Sequence, residues 1–275
     1  MSGTTRILDA AVAAGVKQVI ITASTASLVS RGDFWKDITV TEKCEFSKKI
    51  KKGGNSTDLC TVPAAAYNLQ TAEEALQPGK SGFDVYCISK GLADAAARDF
   101  KSAHPDLDLT TIHPSFVYGP VGLGQVHNLP GTGTNAFIYG LISGEPGRPV
   151  GGYDTATDGP PMSVDVRDVA RAHVLALKVP PNREALKRFI ISPNTFTWKE
   201  AVELLAQARP ELKERLPVVT GKEPAIPPYI RVDTSATETI LGLKSYIKWQ
   251  DTIVDTIDDI LRVEKELAVA AQSKN

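Results

Sequence analysis

The sequence is poor in cysteine. Three cysteines occur among 275 residues, and Cys44, Cys60 and Cys87 form no C-x-x-C pair. Thiols this few and this scattered exclude a disulfide framework and do not indicate a zinc site. We therefore expect reduced cysteines, no bound metal and a cytoplasmic location.

The sequence also lacks a net charge and a long apolar run. Its 31 basic and 32 acidic residues leave a formal charge of -1, so no overall field attracts nucleic acid or an anionic membrane. The basic stretch at residues 48–52 has no interleaved aromatic residues and is interpreted as a solvated loop. Arg6 and Lys17 interrupt the alanine-rich start of the chain, and no run reaches the length of a bilayer span. We expect no nucleic-acid partner and no membrane contact.

A glycine-rich phosphate-binding turn is a third absence. No G-x-G-x-x-G motif precedes Ser24. A partial match at residues 122–124 fails because His127 occupies the place of the third glycine, and no clean helix follows. Residues 119–133 are therefore interpreted as a mobile loop beside a site, a candidate substrate lid.

The apolar pattern that is present is typical of an α/β protein. Residues 3–15 have helical spacing, and residues 16–24 form a short β-branched run that suits a strand buried on both faces. A second helix is predicted over 84–103 and a second strand over 107–118. This order predicts a parallel sheet with right-handed crossovers. Ligands are expected at the carboxyl edge of such a sheet, where Ser24 lies.

The remaining half of the chain continues the alternation of helices and strands. A capping box at residues 197–200 opens one of these helices. Helices are predicted over 135–144, 167–178, 198–208 and 249–271, and strands over 162–166 and 187–191.

A tyrosine–lysine pair near the start of the 84–103 helix is a candidate catalytic group. Tyr86 and Lys90 are four residues apart, so their side chains share one helix face. An ammonium group beside a phenol favours the phenolate and prepares the hydroxyl for proton transfer at neutral pH. Pairs of surface residues share this spacing, so the pair needs support from other segments.

Five segments together resemble the extended short-chain dehydrogenase/reductase family, which includes the NAD-dependent epimerases and dehydratases. They are residues 3–11, 19–24, 86–90, 114–120 and 164–173. The chain looks most like carbonyl reductases related to dihydroflavonol reductase and fungal methylglyoxal reductase. Sugar-nucleotide epimerases and dehydratases are the alternative, but they usually carry an Arg and an Asn where this chain has residues 112–117. His113 and His173 are interpreted as structural.

The resemblance implies reduction of an aldehyde or ketone to an alcohol with NADP or NAD as cofactor. Tyr86 would donate a proton to the carbonyl oxygen, and Lys90 would assist Tyr86 and bind the nicotinamide ribose. Ser24 would hold and polarise the carbonyl. Pro114 and Val117 correspond to the family segment whose backbone meets the nicotinamide carboxamide. The implied partner is a small carbonyl compound, and the implied assembly is a monomer or homodimer.

The start of the chain departs from this family. Relatives begin with a strand, a glycine-rich turn and a helix that bind the pyrophosphate, and too few residues precede Ser24 to form them. The resemblance therefore implies a truncated Rossmann-like parallel sheet, without its first βα units and main phosphate-binding loop, and a small α+β substrate domain. We assign 1–135 to the C-terminal part of the dinucleotide-binding domain and 136–275 to the substrate-binding domain with the C-terminal helix. A contribution of 162–178 to the first domain is left open.

Three interpretations of the chain follow. We favour an incomplete oxidoreductase that is weakly active or inactive by itself. The alternatives are a non-catalytic pseudoenzyme and a fragment of a sugar-nucleotide epimerase or dehydratase. Because the phosphate-binding turn is missing, we expect the chain alone to bind NADPH weakly.

Overall fold

A computed structural model of the chain describes residues 2–41, 68–122, 130–155 and 158–272. Helices and strands alternate over most of that length. The helices are α1 Ser2–Ala13, α2 Ala72–Ala75, α3 Gly82–Ala103, α4 Asn135–Ser143, α5 Val166–Ala176, α6 Trp198–Ala208 and α7 Trp249–Gln272. The strands are β1 Gln18–Thr22, β2 Thr39–Thr41, β3 Asp108–Pro114, β4 Phe116–Tyr118, β5 Met162–Asp165, β6 Lys187–Ile191, β7 Asn194–Thr195 and β8 Arg231–Asp233.

The central sheet consists of three parallel strands in the order β1-β3-β6. All residues of β3 and β6 are buried, as expected for parallel strands covered on both faces. On one face Val19 packs against a cluster that includes Leu8 of α1 and Ala97 of α3. On the other face Ile20 packs against a cluster that includes Ala172 of α5. The α/β class with a parallel sheet, predicted from the sequence, is confirmed.

The single strand predicted over 107–118 is wrong. The chain instead forms β3 and β4, which belong to different sheets and are separated by Ser115. Pro114 ends the pairing of β3 with β6, and the Ser115 N–H donates to the Ile191 carbonyl at 3.1 Å. Because Pro114 has no N–H for the ladder, the chain leaves the central sheet here. β4 then pairs in parallel with β5, and β5 pairs with β7 in the antiparallel sense.

The second half of the chain builds a separate apolar cluster beside the central sheet. Ile138 of α4, Leu205 of α6 and Ile257 of α7 are fully buried in it. Helix α6 begins with the predicted capping box, in which Thr197 and Glu200 each bind the other's backbone N–H. Strands β2 and β8 form a further parallel pair. This cluster supports β4 and so fixes one wall of the site described below.

Several features noted in the sequence lie outside the described residues. These are Cys44, Cys60, the basic stretch at 48–52, and residues 123–129 of the loop, which include His127. Cys87 is described: it is fully buried, and burial raises the pKa of its thiol to about 12. Within the described ranges, no helix is long and apolar enough to cross a bilayer.

Candidate active site

The start of α3 is held by a network of capping hydrogen bonds. The Asp84 N–H donates to the Ser81 hydroxyl at 3.1 Å, and the Ser81 N–H donates to the Asp84 carboxylate at 2.8 Å. The Arg31 guanidinium lies 3.3 Å from the same carboxylate. Burial acts to raise the pKa of Asp84, but the bonds from Ser81 and the charges of Arg31 and Lys80 outweigh it and lower the pKa. The first turn of α3 therefore has a fixed geometry.

Tyr86 and Lys90 are brought together on the next turns of α3. The Lys90 ammonium lies over the Tyr86 ring, with Nζ 5.6 Å from the ring centroid. The ring also stacks on Phe83, with a centroid distance of 6.1 Å. Tyr86 is 42% exposed, so its side chain is accessible to a ligand. The spacing in the sequence thus corresponds to a real contact between the two side chains.

Ser24 lies just beyond the carboxyl edge of the central sheet. The Ala23 N–H donates to the Ile112 carbonyl at 2.7 Å and extends the pairing of β1 with β3 by one residue. Ser24 then caps the 3-10 turn Thr25–Ser27, and its Oγ accepts from the Ala26 N–H at 3.1 Å. Since this bond uses Oγ as an acceptor, the hydroxyl proton of Ser24 remains available for another partner.

Asn68 connects the Ser24 turn to the Tyr86 helix. Its N–H donates to the Ser27 carbonyl at 2.9 Å, and its Nδ2 donates to the carbonyl of Cys87, next to Tyr86, at 3.0 Å. The close approach depends on Gly91, because a Cβ there would lie 2.8 Å from Asn68. Sequence reasoning missed Asn68. The one signal for it was a glycine inside a helix, which indicates a close neighbour.

A buried polar cluster lies between α3, β3 and β6. Arg188 of β6 donates to Asp94 of α3 at 3.0 Å, and His113 Nε2 is 3.7 Å from the same carboxylate. Burial, and then the charges of Arg188 and Lys90, hold the pKa of His113 well below its usual value. Burial also raises the pKa of Asp94, against the opposing charges of Arg188 and Arg98. His113 is therefore a neutral imidazole at neutral pH.

Pro114 and Val117 lie on either side of the break between the two sheets. Pro114 is buried opposite Ile191 at the end of β3. Val117 is half-buried in β4 opposite Val164, and its carbonyl accepts from the Thr134 hydroxyl. Both residues therefore lie in the region where the carboxyl end of the central sheet meets the second sheet.

An aromatic cleft lies beyond the Phe83 ring, away from Tyr86's direct contacts. Phe116 of β4 lines it and lies 6.2 Å from Phe83, the ring on which Tyr86 stacks. The cleft encloses about 400 Å³ including its open mouth, and a Cβ on Gly159 would lie 2.2 Å from the Phe116 ring. Its other aromatic lining residues are Tyr118, Phe137, Tyr153, Phe196 and Trp198. Sequence reasoning missed this cleft because these residues come from distant segments.

The two cleft tyrosines are poor candidates for proton transfer. Tyr118 is almost fully buried, and burial raises the pKa of its hydroxyl above the ordinary value. Burial and the charges of Asp158 and Glu200 likewise raise the pKa of Tyr153, whose hydroxyl donates to the Phe196 carbonyl at 3.2 Å. Tyr86, by contrast, is exposed and lies beside a cation.

Comparison with known proteins finds oxidoreductases among the relatives of this chain. No protein-family model matches the chain. An uncharacterized oxidoreductase of Schizosaccharomyces pombe is 30% identical over 93% of this chain and 66% of its own length. An NADPH-dependent methylglyoxal reductase of Saccharomyces cerevisiae is 28% identical over 66% of this chain and 52% of its own length. The chain thus spans about half to two thirds of the length of these relatives.

The fold is shared with solved structures. A crystal structure of Gre2 from Candida albicans in complex with NADPH superimposes with a TM-score of 0.71 at 24% identity. The superposition covers 94% of this chain and 69% of that chain. The relatives in sequence, together with this shared fold, confirm the resemblance predicted from the five sequence segments. The chain belongs to the extended short-chain dehydrogenase/reductase superfamily of NAD(P)-dependent enzymes.

Proposed function

We propose that this protein reduces an aldehyde or ketone to the alcohol, with Tyr86 as the proton donor and NADPH as the cofactor, and that the chain by itself does so weakly because no glycine-rich phosphate-binding turn precedes Ser24. The observation that carries the proposal is the exposed Tyr86 side chain beside the Lys90 ammonium, with the Phe83 ring between Tyr86 and an aromatic cleft. The methylglyoxal reductase among the relatives is described as NADPH-dependent, which supports this choice of cofactor.

Proton donation by Tyr86 leaves a negative charge on its oxygen. The Lys90 ammonium, 5.6 Å from the ring centroid, stabilises that charge because the side chains are on neighbouring turns of one rigid helix. The capping bonds at Ser81 hold the first turn of this helix. Tyr86 therefore delivers a proton from a defined position with little reorganisation.

Ser24 is proposed to bind the substrate carbonyl oxygen. Its Oγ accepts from the Ala26 N–H, so its own proton is free to donate to the carbonyl. A hydrogen bond to this oxygen becomes stronger as negative charge develops on it. Ser24 and Tyr86 would then donate to the same oxygen from the sheet edge and from the helix.

The nicotinamide end of NADPH is proposed to bind beside the same residues. When bound, NADPH supplies the hydride that reduces the carbonyl carbon. Lys90 offers the ribose a charged donor, and Pro114 and Val117 provide the wall at the end of the central sheet. The aromatic cleft keeps water away from the apolar part of the carbonyl compound.

Replacement of Tyr86 with phenylalanine tests the proposal. We expect Tyr86→Phe to lower kcat/KM for carbonyl reduction by about 10²–10⁴-fold, the usual contribution of a general acid. The melting temperature should not change, since Tyr86 is 42% exposed. NADPH consumption gives the rate, and NADPH fluorescence shows whether binding is retained. Tyr139→Phe, in a half-buried tyrosine of α4, is the matched control and should keep full activity.

Two results would contradict the proposal. Full activity of Tyr86→Phe would mean that another group donates the proton. Turnover of UDP- or GDP-sugars, with no reduction across a panel of aldehydes and ketones, would favour an epimerase or dehydratase. A chain that binds NADPH but turns over neither class would support a non-catalytic role.

A further inference from the structure

His113 is completely buried at the carboxyl end of β3, and both of its ring nitrogens have partners. Nδ1 lies 3.2 Å from the Ser24 carbonyl oxygen and 3.0 Å from the Ser27 hydroxyl. Nε2 lies 2.8 Å from the Thr111 hydroxyl. The imidazole therefore connects the central sheet directly to the turn that carries Ser24.

The partners of His113 determine which nitrogen carries the proton. The Ser27 hydroxyl donates its single proton to the Ser24 carbonyl at 2.7 Å, and a carbonyl oxygen can only accept. Nδ1 is therefore assigned as the protonated nitrogen, because an unprotonated Nδ1 would repel the Ser24 carbonyl oxygen 3.2 Å away. Nε2 is left unprotonated and accepts from the Thr111 hydroxyl. This tautomer satisfies both nitrogens of the neutral ring.

The charged groups around His113 keep it in that neutral form. Arg188 of β6 and Lys90 of α3 both disfavour a charged imidazole. The carboxylate of Asp94 is 3.7 Å from Nε2, but it binds Arg188 at 3.0 Å and lies 3.7 Å from Arg98. His113 therefore acts as a fixed hydrogen-bond donor and not as an acid or base.

We propose that His113 is a positioning residue for Ser24, and this inference rests on the proposed carbonyl reduction. The Ser24 carbonyl accepts from the Ser27 N–H at 3.0 Å, the Ser27 hydroxyl at 2.7 Å and His113 Nδ1 at 3.2 Å. The two Ser27 donors belong to the turn itself, whereas His113 belongs to β3. His113 therefore sets the position of the turn, and of the Ser24 hydroxyl, relative to the edge of the sheet.

Two substitutions of His113 by residues with a side-chain amide distinguish the positioning of Ser24 from a role in core packing alone. In His113→Asn the side-chain N–H occupies nearly the position of Nδ1 and still reaches the Ser24 carbonyl. In His113→Gln the longer side chain carries its N–H toward Thr111 and away from Ser24. Both variants bury a polar amide, so a purely structural role predicts similar damage. Thr110→Val is the control, because Thr110 is fully buried on the same strand and its hydroxyl has no hydrogen-bond partner among the residues that the structure describes.

The activity measurements use these variants with and without Ser24→Ala. We expect His113→Gln to lower kcat by about 10- to 100-fold through misplacement of a catalytic group, and His113→Asn to keep kcat within about threefold of the parent enzyme. KM for NADPH should not change. In the Ser24→Ala background, His113→Gln should have little further effect, because residues that act through one another are not additive. Equal losses in Asn and Gln, or full additivity with Ser24→Ala, would overturn the proposal.

A second measurement does not depend on activity. Amide hydrogen exchange in the Ser24–Ser27 turn should accelerate in His113→Gln and remain slow in His113→Asn and Thr110→Val. Long-range ¹H–¹⁵N spectra of the parent protein should show the Nδ1–H tautomer of His113. An Nε2–H tautomer, or exchange that does not depend on the amide variant, would also overturn the proposal. If the parent chain reduces no carbonyl compound, the proposed function fails, while these two results still decide whether His113 positions the turn.

Discussion

Two regions adjoin the helix that carries Tyr86, and they are built from opposite kinds of contact. One is the buried polar cluster of Asp94, His113 and Arg188, in which hydrogen bonds and charges are directional. The other is the aromatic cleft, in which the ring centroids of Phe116 and Phe137 lie 6.2 Å apart and those of Phe196 and Trp198 lie 5.7 Å apart. A lost partner in the polar cluster leaves a buried group unsatisfied. In the cleft, a lost or displaced ring costs packing in proportion to its area. We therefore expect a single substitution in the polar cluster to cause a large loss of stability. In the cleft we expect a loss that scales with the area of ring contact removed.

The largest expected effect is on stability in the polar cluster. Asp94→Ala removes the carboxylate that lies 3.0 Å from the Arg188 guanidinium, and both side chains are almost fully buried. Breaking a buried ion pair costs about 3–5 kcal/mol of unfolding free energy. Glu266→Ala removes the partner of an exposed ion pair with Arg262 on α7 and should change stability little. Urea denaturation gives the unfolding free energies of both variants. Equal losses in Asp94→Ala and Glu266→Ala would contradict the expected difference between a buried and an exposed ion pair.

A smaller effect is expected in the aromatic cleft. In Gly159→Ala the new methyl group would lie 2.2 Å from the Phe116 ring, so the ring must shift and change the shape of the cleft that it lines. Overpacking of this kind costs about 1–3 kcal/mol of unfolding free energy, and KM for an aromatic carbonyl substrate should rise more than kcat falls. Gly151→Ala, which meets no atom within 4 Å, should behave like the parent protein. A loss of kcat at constant KM would mean that Phe116 contributes to the chemical step and not to substrate binding.

The smallest expected effect is the contribution of His113, in the polar cluster, to the pH dependence of stability. Burial holds the pKa of His113 well below 6.5 in the folded state, whereas the unfolded histidine titrates near its ordinary value. Below pH 6.5 the unfolded chain binds a proton that the folded chain does not, so stability falls as the pH is lowered. The slope approaches about 1.4 kcal/mol per pH unit.

Unfolding free energies at pH 7 and pH 5 test this slope. The loss between the two values should be smaller in His113→Asn than in the parent protein, because the variant has no group that titrates there. Gly159→Ala should show the same loss as the parent, since the cleft contributes no histidine. Identical losses in the parent and in His113→Asn would show that His113 does not titrate in this way.

Part of the candidate site could be predicted from local sequence. Tyr86 and Lys90 meet because residues four apart share a helix face, and their contact appears as predicted. Ser24 follows a short β-branched run, which predicts its place at the carboxyl edge of the sheet. These predictions succeeded because each depends on the periodicity of a single element.

Other parts of the site depend on contacts between distant segments. The break at Ser115 sends β3 and β4 into different sheets, although residues 107–118 have the apolar pattern of one continuous strand. Asn68 joins the Ser24 turn to α3 through backbone carbonyls. Because every residue has a backbone carbonyl, the types of the accepting residues do not indicate this contact. His113 was interpreted as structural, and only its distances to Ser24 and Ser27 give it a positioning role.

By itself, the sequence determined the α/β class, the helix face shared by Tyr86 and Lys90, and the family resemblance, because these follow from spacing along the chain. The tertiary structure decided what surrounds that pair. It placed the neutral His113 against the Ser24 turn, Asn68 between that turn and α3, and an aromatic cleft beside Phe83. The reason is physical. Hydrogen bonds and ring contacts between segments many residues apart depend on how the sheets and helices pack, and no local pattern encodes that packing.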